Sequence, residues 1–226
     1  MADGSLEGFL GSAYAANSPR AVSRVYDRWA DTYDDDMTQA GYQHPAVSLD
    51  VFHRHLPPTM DPVLDAGVGT GILGQSLASK GYSNVCGVDI SMGMLVVAAN
   101  RHSYENLIQA DVTRLPFVDA AFAGVISTGV FTTGHVGVKG LDELLRVTQA
   151  GGVIVLTVKS TLWETEIDER ISDLESIGRI RVLELTTQYV SMPSVEATLP
   201  SLCLAIGVLS VSDRRNAESR NKFQDL

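Results

Sequence analysis

The stretch Val63-Leu64-Asp65-Ala66-Gly67-Val68-Gly69-Thr70-Gly71 constrains this chain more than any other. Residues suited to a buried strand, Val63 to Ala66, run into glycines at alternate positions, and a helix-forming segment, Ile72 to Lys80, follows. Glycines at 67, 69 and 71 remove every second Cβ from the turn, so the backbone can take dihedrals closed to other residues and a flat ligand can lie against it. Twenty residues after Gly69, Val85-Cys86-Gly87-Val88-Asp89 reads as a second strand ending in an acid. That spacing suits a carboxylate that accepts from the two hydroxyls of a ribose, and predicts a nucleotide cofactor site with Asp89 on the ribose and Ile90 against the base.

Gly69-Thr70-Gly71-Ile72-Leu73-Gly74 also satisfies the dinucleotide pattern G-x-G-x-x-G, which is weak evidence when it stands alone. A dinucleotide would put its pyrophosphate at this turn, where the carboxylate of Asp65 would repel it. S-adenosylmethionine brings no phosphate but does bring a sulfonium and an ammonium, which an acid at the strand end attracts. The residues favour that ligand and leave a nicotinamide-dependent oxidoreductase as the rival.

The series D-A-G-V-G-T-G, then G-V-D-I-S, then Ala110-Asp111-Val112 resembles the motifs of class I S-adenosylmethionine-dependent methyltransferases, from about Tyr26 to Lys159. Tyr26-Asp27-Arg28-Trp29-Ala30, Gly129 to Val136 and Leu141-Asp142-Glu143-Leu144 are most similar to the Williams–Beuren syndrome region methyltransferase-like proteins. The resemblance implies a Rossmann-like, seven-stranded, mostly parallel sheet with helices on both faces, closed by an antiparallel C-terminal hairpin and covered by an N-terminal helical lid. It implies that Trp29 and Tyr33 of the lid bury the methionine end of the cofactor, that Asp65 with Gly67, Gly69 and Gly71 seats the methionyl part, and that Asp111 and Val112 hold the adenine. Ala123 and Ala150 depart from the family's usual Asp and Pro without touching these contacts.

The residues themselves give a compatible architecture. From about Met60, short apolar runs alternate with helical patterns, the signature of a parallel sheet covered on both faces. Strands are expected at Val63–Ala66, Val85–Val88, Asn106–Ala110, Ala123–Ser127 and Val153–Val158, with Ser91 capping a helix from Met92 to Asn100. A helix face from Val138 to Thr148, an acidic helix from Trp163 to about Ile177, and strands at Ile180 to Tyr189 and Leu202 to Val211 complete the core. Before it, Tyr26, Trp29, Ala30 and Tyr33 recur at i, i+3, i+4 and i+7, an aromatic stripe that either packs on the domain edge or caps a ligand. The division is then a mobile or weakly helical arm at 1–18, one domain at 19–211 with its lid at 19–56 and core at 60–211, and a polar tail at 212–226.

A chain of 226 residues, 45% hydrophobic and 19% charged, suits one α/β core. No apolar run approaches the length of a membrane span and no basic leader precedes an apolar one, so a cytoplasmic location without membrane contact is expected. A net charge of -10 with no basic patch disfavours nucleic acid as a partner. Cys86 and Cys203 read as small buried hydrophobes, and His53 and His55, two apart on a helix, lack the further ligands that a metal needs.

Four strands are expected to end in polar residues at the carboxyl rim, where ligands of open α/β sheets bind: Asp65, Asp89, Asp111 and the pair Ser127-Thr128. Methyl transfer is an in-line displacement in which the donor carries the activation and the protein positions the acceptor. His135, after the fourth strand, is the candidate general base; the plain alternative is a loop histidine capping the next helix. The amide-nitrogen motif Asn/Asp-Pro-Pro-Tyr and a Pro-Cys pair for pyrimidine attack are both missing, which with the acidic charge favours a small-molecule acceptor and leaves a protein acceptor open. A module that binds the cofactor without turnover is the second rival.

Overall fold

The computed structural model describes residues 4–132, 136–195 and 198–210. Four helices come first, α1 (Leu6–Ala15), α2 (Pro19–Trp29), α3 (Tyr33–Ala40) and α4 (His44–His55). The alternating core follows as β1 (Val63–Ala66), α5 (Ile72–Ser79), β2 (Val85–Asp89), α6 (Met92–Ala99), β3 (Asn106–Gln109), β4 (Phe122–Phe131), α7 (Val138–Val147) and β5 (Thr148–Lys159). A short α8 (Ser160–Leu162) leads through a π-helical turn, Trp163–Ile167, into α9 (Asp168–Ser176), then β6 (Ile180–Leu185) and β7 (Ser201–Val208). The strands form one sheet in the order β3-β2-β1-β4-β5-β7-β6. The first five are parallel, and β7 inserts antiparallel between β5 and β6.

Successive side chains of a strand point to opposite faces, and β1 shows how this builds two cores. Leu64 and Ala66 join Leu141, Leu144, Ile171 and Leu174 from α7 and α9, whereas Val63 joins Leu49, Phe52, Leu73 and Leu77 from α4 and α5. Each such burial contributes about 1.5–3 kcal/mol, so the sheet is held from both sides. A third cluster, Phe9, Val25, Trp29, Met37 and Met192, lies under the N-terminal helices.

That third cluster corrects the N-terminal boundary. The expected arm contains α1, capped by the Ser5 side chain, which accepts from Gly8 N at 3.1 Å. Phe9 of α1 stacks on Trp29 with centroids 5.2 Å apart. Leu6, Phe9, Leu10 and Ala13 carry the i, i+3, i+4, i+7 period, thinly marked among Ala, Gly and Ser. The aromatic stripe also divides: α2 ends at Trp29 and α3 begins at Tyr33. Three strands differ from the expected extent by four residues or more at one end. β4 runs on to Phe131 through an irregularity after Ser127, β5 begins at Thr148, and β6 stops at Leu185, leaving Tyr189 only an isolated bridge to Ser201. The expected polar tail lies outside the described residues.

The lid crosses α6 so closely that a Cβ on Gly93 would lie 2.9 Å from Asp27 Cα and from its carbonyl oxygen, whereas one on Gly11 of α1 would meet nothing within 4 Å. Alanine gains about 1 kcal/mol over glycine within a helix. Gly11→Ala should therefore raise the melting temperature slightly, and Gly93→Ala should lower it despite the same gain. A Gly93→Ala protein that melts above wild type would show that α2 does not rest on α6 as described.

Candidate functional site

Strand order reverses between β1 and β4, and the crevice at the carboxyl ends there holds a cavity of about 300 Å³. Its floor is made by Gly67 and Gly69 after β1, Asp89 and Ile90 around the end of β2, Asp111 to Thr113 after β3, and Thr128 to Val130 in the irregular part of β4. Ser18, Pro19, Val22, Tyr26 and Tyr33 from the lid complete the wall.

Asp89 ties two of these segments together. Its Oδ2 accepts from Gly69 N at 2.8 Å and its Oδ1 from Ser91 N at 2.9 Å. A carboxylate has about four lone-pair sites, so capacity remains for two ribose hydroxyls. Burial pushes its carboxyl above the ordinary value, against the opposite pull of the backbone N–H groups of Ser91 and Gly69. Asp111 Oδ1 accepts from Thr113 N and Thr113 Oγ1 at 2.8 and 2.7 Å, which leaves Oδ2 for a ligand. Gly67, at φ +97°, admits the close approach of Val130, whose Cγ2 would be 2.2 Å from a Cβ; a Cβ on Gly69 would stand in open space. A flat ligand fits against such a floor.

Tyr33, Gly67, Gly69, Asp89, Ile90, Asp111 and Val112 thus come together at the cavity, as expected, and Trp29, Asp65, Gly71 and Ser127 do not line it. Trp29 is buried against Phe9, and its Nε1 donates to Asp36 Oδ2 at 2.7 Å. Asp65 is the third of four residues in β1 and faces the α4–α5 side with Val63, where it is fully buried and accepts from Tyr104 Oη at 2.8 Å. Gly71 is the N-cap of α5, its missing Cβ facing Ala98 at 3.1 Å. Ser127 lies inside the lengthened β4 and donates to the carbonyl of Ala66 at 2.7 Å. Thr128 takes the place expected of Ser127 at the cavity, its Oγ1 2.8 Å from Ser48 Oγ. His135, the candidate base, lies outside the described residues.

Two carboxylates of the N-terminal helices, Asp27 and Asp34, act as clamps. Asp27 Oδ1 accepts from Ser91 Oγ at 2.6 Å and Gly93 N at 2.9 Å at the N-terminus of α6, where helix polarity favours an anion. Asp34 accepts from Thr70 Oγ1 and pairs with Arg101, whose Nε donates to the carbonyl of Thr70 at 2.7 Å. The sequence reading also missed Tyr26 and the Ser18–Val22 wall as lining; the signal for the latter was Ser18-Pro19, a capping residue followed by proline at the first helical position. The expected repulsion of a pyrophosphate by Asp65 does not hold, since Asp65 is buried against Tyr104 away from the cavity. Among the described residues no group of His, Cys, Asp and Glu is placed to hold a metal ion, and no helix is long and apolar enough to cross a membrane.

A glycine turn, an acid at the end of the next strand and a cavity at the switch point define a nucleoside-cofactor domain of the doubly wound class. The family model described as a methyltransferase domain matches residues 64–156. Methyltransferase-like protein 27 of Homo sapiens is 33% identical over 161 residues, 68% of this chain and 65% of its own. Demethylmenaquinone methyltransferase of Thermobifida fusca is 32% identical over 173 residues, 71% and 70% of the two chains. Among solved structures, a S-adenosylmethionine-dependent methyltransferase of Thermotoga maritima, described as a possible histamine N-methyltransferase, superposes with a TM-score of 0.58 at 16% identity, covering 82% of this chain and 98% of that one. The chain belongs to the class I S-adenosylmethionine-dependent methyltransferases. It spans about 60–65% of the length of the first curated relatives that it matches.

Burial pushes the Asp65 carboxyl up to about 7, only partly offset by the hydrogen bond from Tyr104, and its Oδ1 has no partner. The folded state therefore holds a proton that the unfolded chain, with a carboxyl near pKa 3.9, releases first, so stability falls as pH rises from about 4 to about 7. Asp65→Asn removes this term. Its stability relative to wild type should improve by about 2 kcal/mol between pH 5 and pH 8, read from denaturant midpoints at the two pH values. A difference independent of pH would show that Asp65 is ionised in the fold.

Proposed function

We propose that this protein transfers the methyl group of S-adenosylmethionine to a small-molecule acceptor. The observation that carries the reading is the single cavity that gathers Gly67, Gly69, Asp89, Ile90, Asp111 and Val112 at the switch point beneath Tyr26 and Tyr33. Asp89 accepts from the ribose hydroxyls, Ile90 packs on the adenine, Asp111 and the Val112 backbone take its edge, and the glycine floor carries the methionyl part. The cofactor supplies a methyl group already activated on a sulfonium, so the protein's contribution is placement and the exclusion of water.

The donor set suits a cation: Asp89 and Asp111 both line the cavity, which lies at the lower end of the ~300–1,000 Å³ usual for small-molecule sites. A small acceptor agrees with the net charge of -10 and with the relative named for demethylmenaquinone. The order of the strands gives the ligand a direction. Adenine at the end of β3 and ribose at β2 place the methyl group toward β4 and β5, and the acceptor beyond it.

Calorimetric titration with S-adenosylhomocysteine tests the site. Wild type should bind it, and Asp89→Ala should bind about a hundredfold more weakly or worse, since two hydrogen bonds to a charged acceptor are worth about 1.5–3 kcal/mol each. Folded wild type that fails to bind, or an Asp89→Ala variant that binds as well, overturns the reading.

A further inference from the structure

Behind Tyr26, Tyr33 and Gly129, which belong to both, a second and smaller cavity of about 50 Å³ opens from the cofactor cleft toward β5. Its walls include Tyr42, His44, Lys159 and Ser191, and helix α1 closes it with Leu10, Ala13 and Tyr14. Lys159 ends β5 and is 6% exposed, yet it forms no ion pair among the described residues. Its Nζ donates to Ser191 Oγ at 3.2 Å and to the carbonyl of Leu199 at 2.9 Å, both neutral acceptors, and an ammonium has a third N–H.

The surroundings make this pocket electropositive in an acidic protein. Among its described lining residues none is an acid, whereas Asp89 and Asp111 line the adjoining cleft. His44 Nδ1 lies 2.6 Å from Tyr189 Oη, and burial together with Lys159 drives the imidazole down to about 3, so it stays neutral at physiological pH and does not compete for charge. A buried cation without a counter-ion costs several kcal/mol. A bound anion would offset that cost, and the strand order puts this one next to the expected position of the methyl group.

Resting on the methyltransferase reading above, we propose that the inner pocket is the acceptor site and that Lys159 binds an anionic oxygen of the acceptor, so that the acceptor is an acid with a compact apolar or aromatic body. About 50 Å³ holds a few waters or one carboxylate-sized group. The charged oxygen sits in this pocket and the body extends past Tyr26 and Tyr33 toward the methyl group. Opposite charges on the two cavities then sort the ligands: the cationic donor to the acidic cleft, the anionic acceptor to the lysine.

The test is calorimetric titration of the full chain, saturated with S-adenosylhomocysteine, with benzoate and with its neutral counterpart benzamide. Wild type should bind benzoate at least tenfold more tightly. Lys159→Met should abolish that preference while its affinity for S-adenosylhomocysteine stays within about twofold of wild type, which also shows that the variant is folded. Equal affinity for the two probes in wild type, no measurable benzoate binding, or a preference that survives Lys159→Met each overturns the proposal and leaves the cofactor site standing. Failure of wild type to bind S-adenosylhomocysteine removes both.

Discussion

One carboxylate holds the site together. Asp89 takes Gly69 N with one oxygen and Ser91 N with the other, fixing the glycine turn relative to the start of α6. Ser91 continues the connection: its hydroxyl accepts from Met94 N at 3.1 Å, capping α6, and donates to Asp27 of the lid. A chain of hydrogen bonds thus runs from the glycine turn beneath the cavity to helix α2 above it through a side chain that also lines the cavity. Hydrogen bonds to charged groups are worth about 1.5–3 kcal/mol each, so the site and the placement of the lid share their strongest polar contacts.

Charge is distributed against the average of the molecule. A protein of net charge -10 lines one cavity with two acids and sets a buried lysine in the next. Neither arrangement is what folding alone favours, because burial penalises the charged form of each: it raises the carboxyl of Asp89 and lowers the amine of Lys159. Ionisable groups kept at such a cost in adjoining cavities are the kind of feature that clusters at functional sites.

The sheet was legible in the sequence because its signals are local. Val63–Ala66 matched residue for residue, the Ser91 cap was found where the pattern placed it, and β6 and β7 form the antiparallel hairpin that the resemblance implied. Asp89 and Asp111 could be assigned because each stands at or just past the end of a short strand, where position and orientation follow from the strand alone. Asp65 and Ser127 miss the cavity for different reasons: Asp65 is the third residue of a strand of the expected length and faces a helix, whereas Ser127 lies four residues inside the end of a strand that runs on to Phe131. Trp29 failed because an aromatic stripe specifies burial without saying against what; the partner was α1, thinly encoded among small residues. The clamps of Asp27 and Asp34 join residues 64 and 36 positions apart, a distance that no local pattern spans. Lys159 was invisible for that reason too, since a lysine at a strand end becomes unusual only once its neighbours are known to be neutral.

The helices that wall the inner pocket are held by fewer contacts than the sheet beneath them. Tyr26 and Tyr33 wall both cavities, and Leu10, Ala13 and Tyr14 of α1 line the inner one. What holds those helices down is a small aromatic and aliphatic cluster and two partly exposed carboxylates, Asp27 and Asp34, whereas the sheet carries the two larger cores. Local opening draws on the weakest contacts of a fold, and these lie where ligands must pass. Because the two cavities share Tyr26 and Tyr33, a donor that orders those rings also shapes the wall against which the acceptor packs. The coupling between the two sites needs no distant pathway, since the same side chains form both.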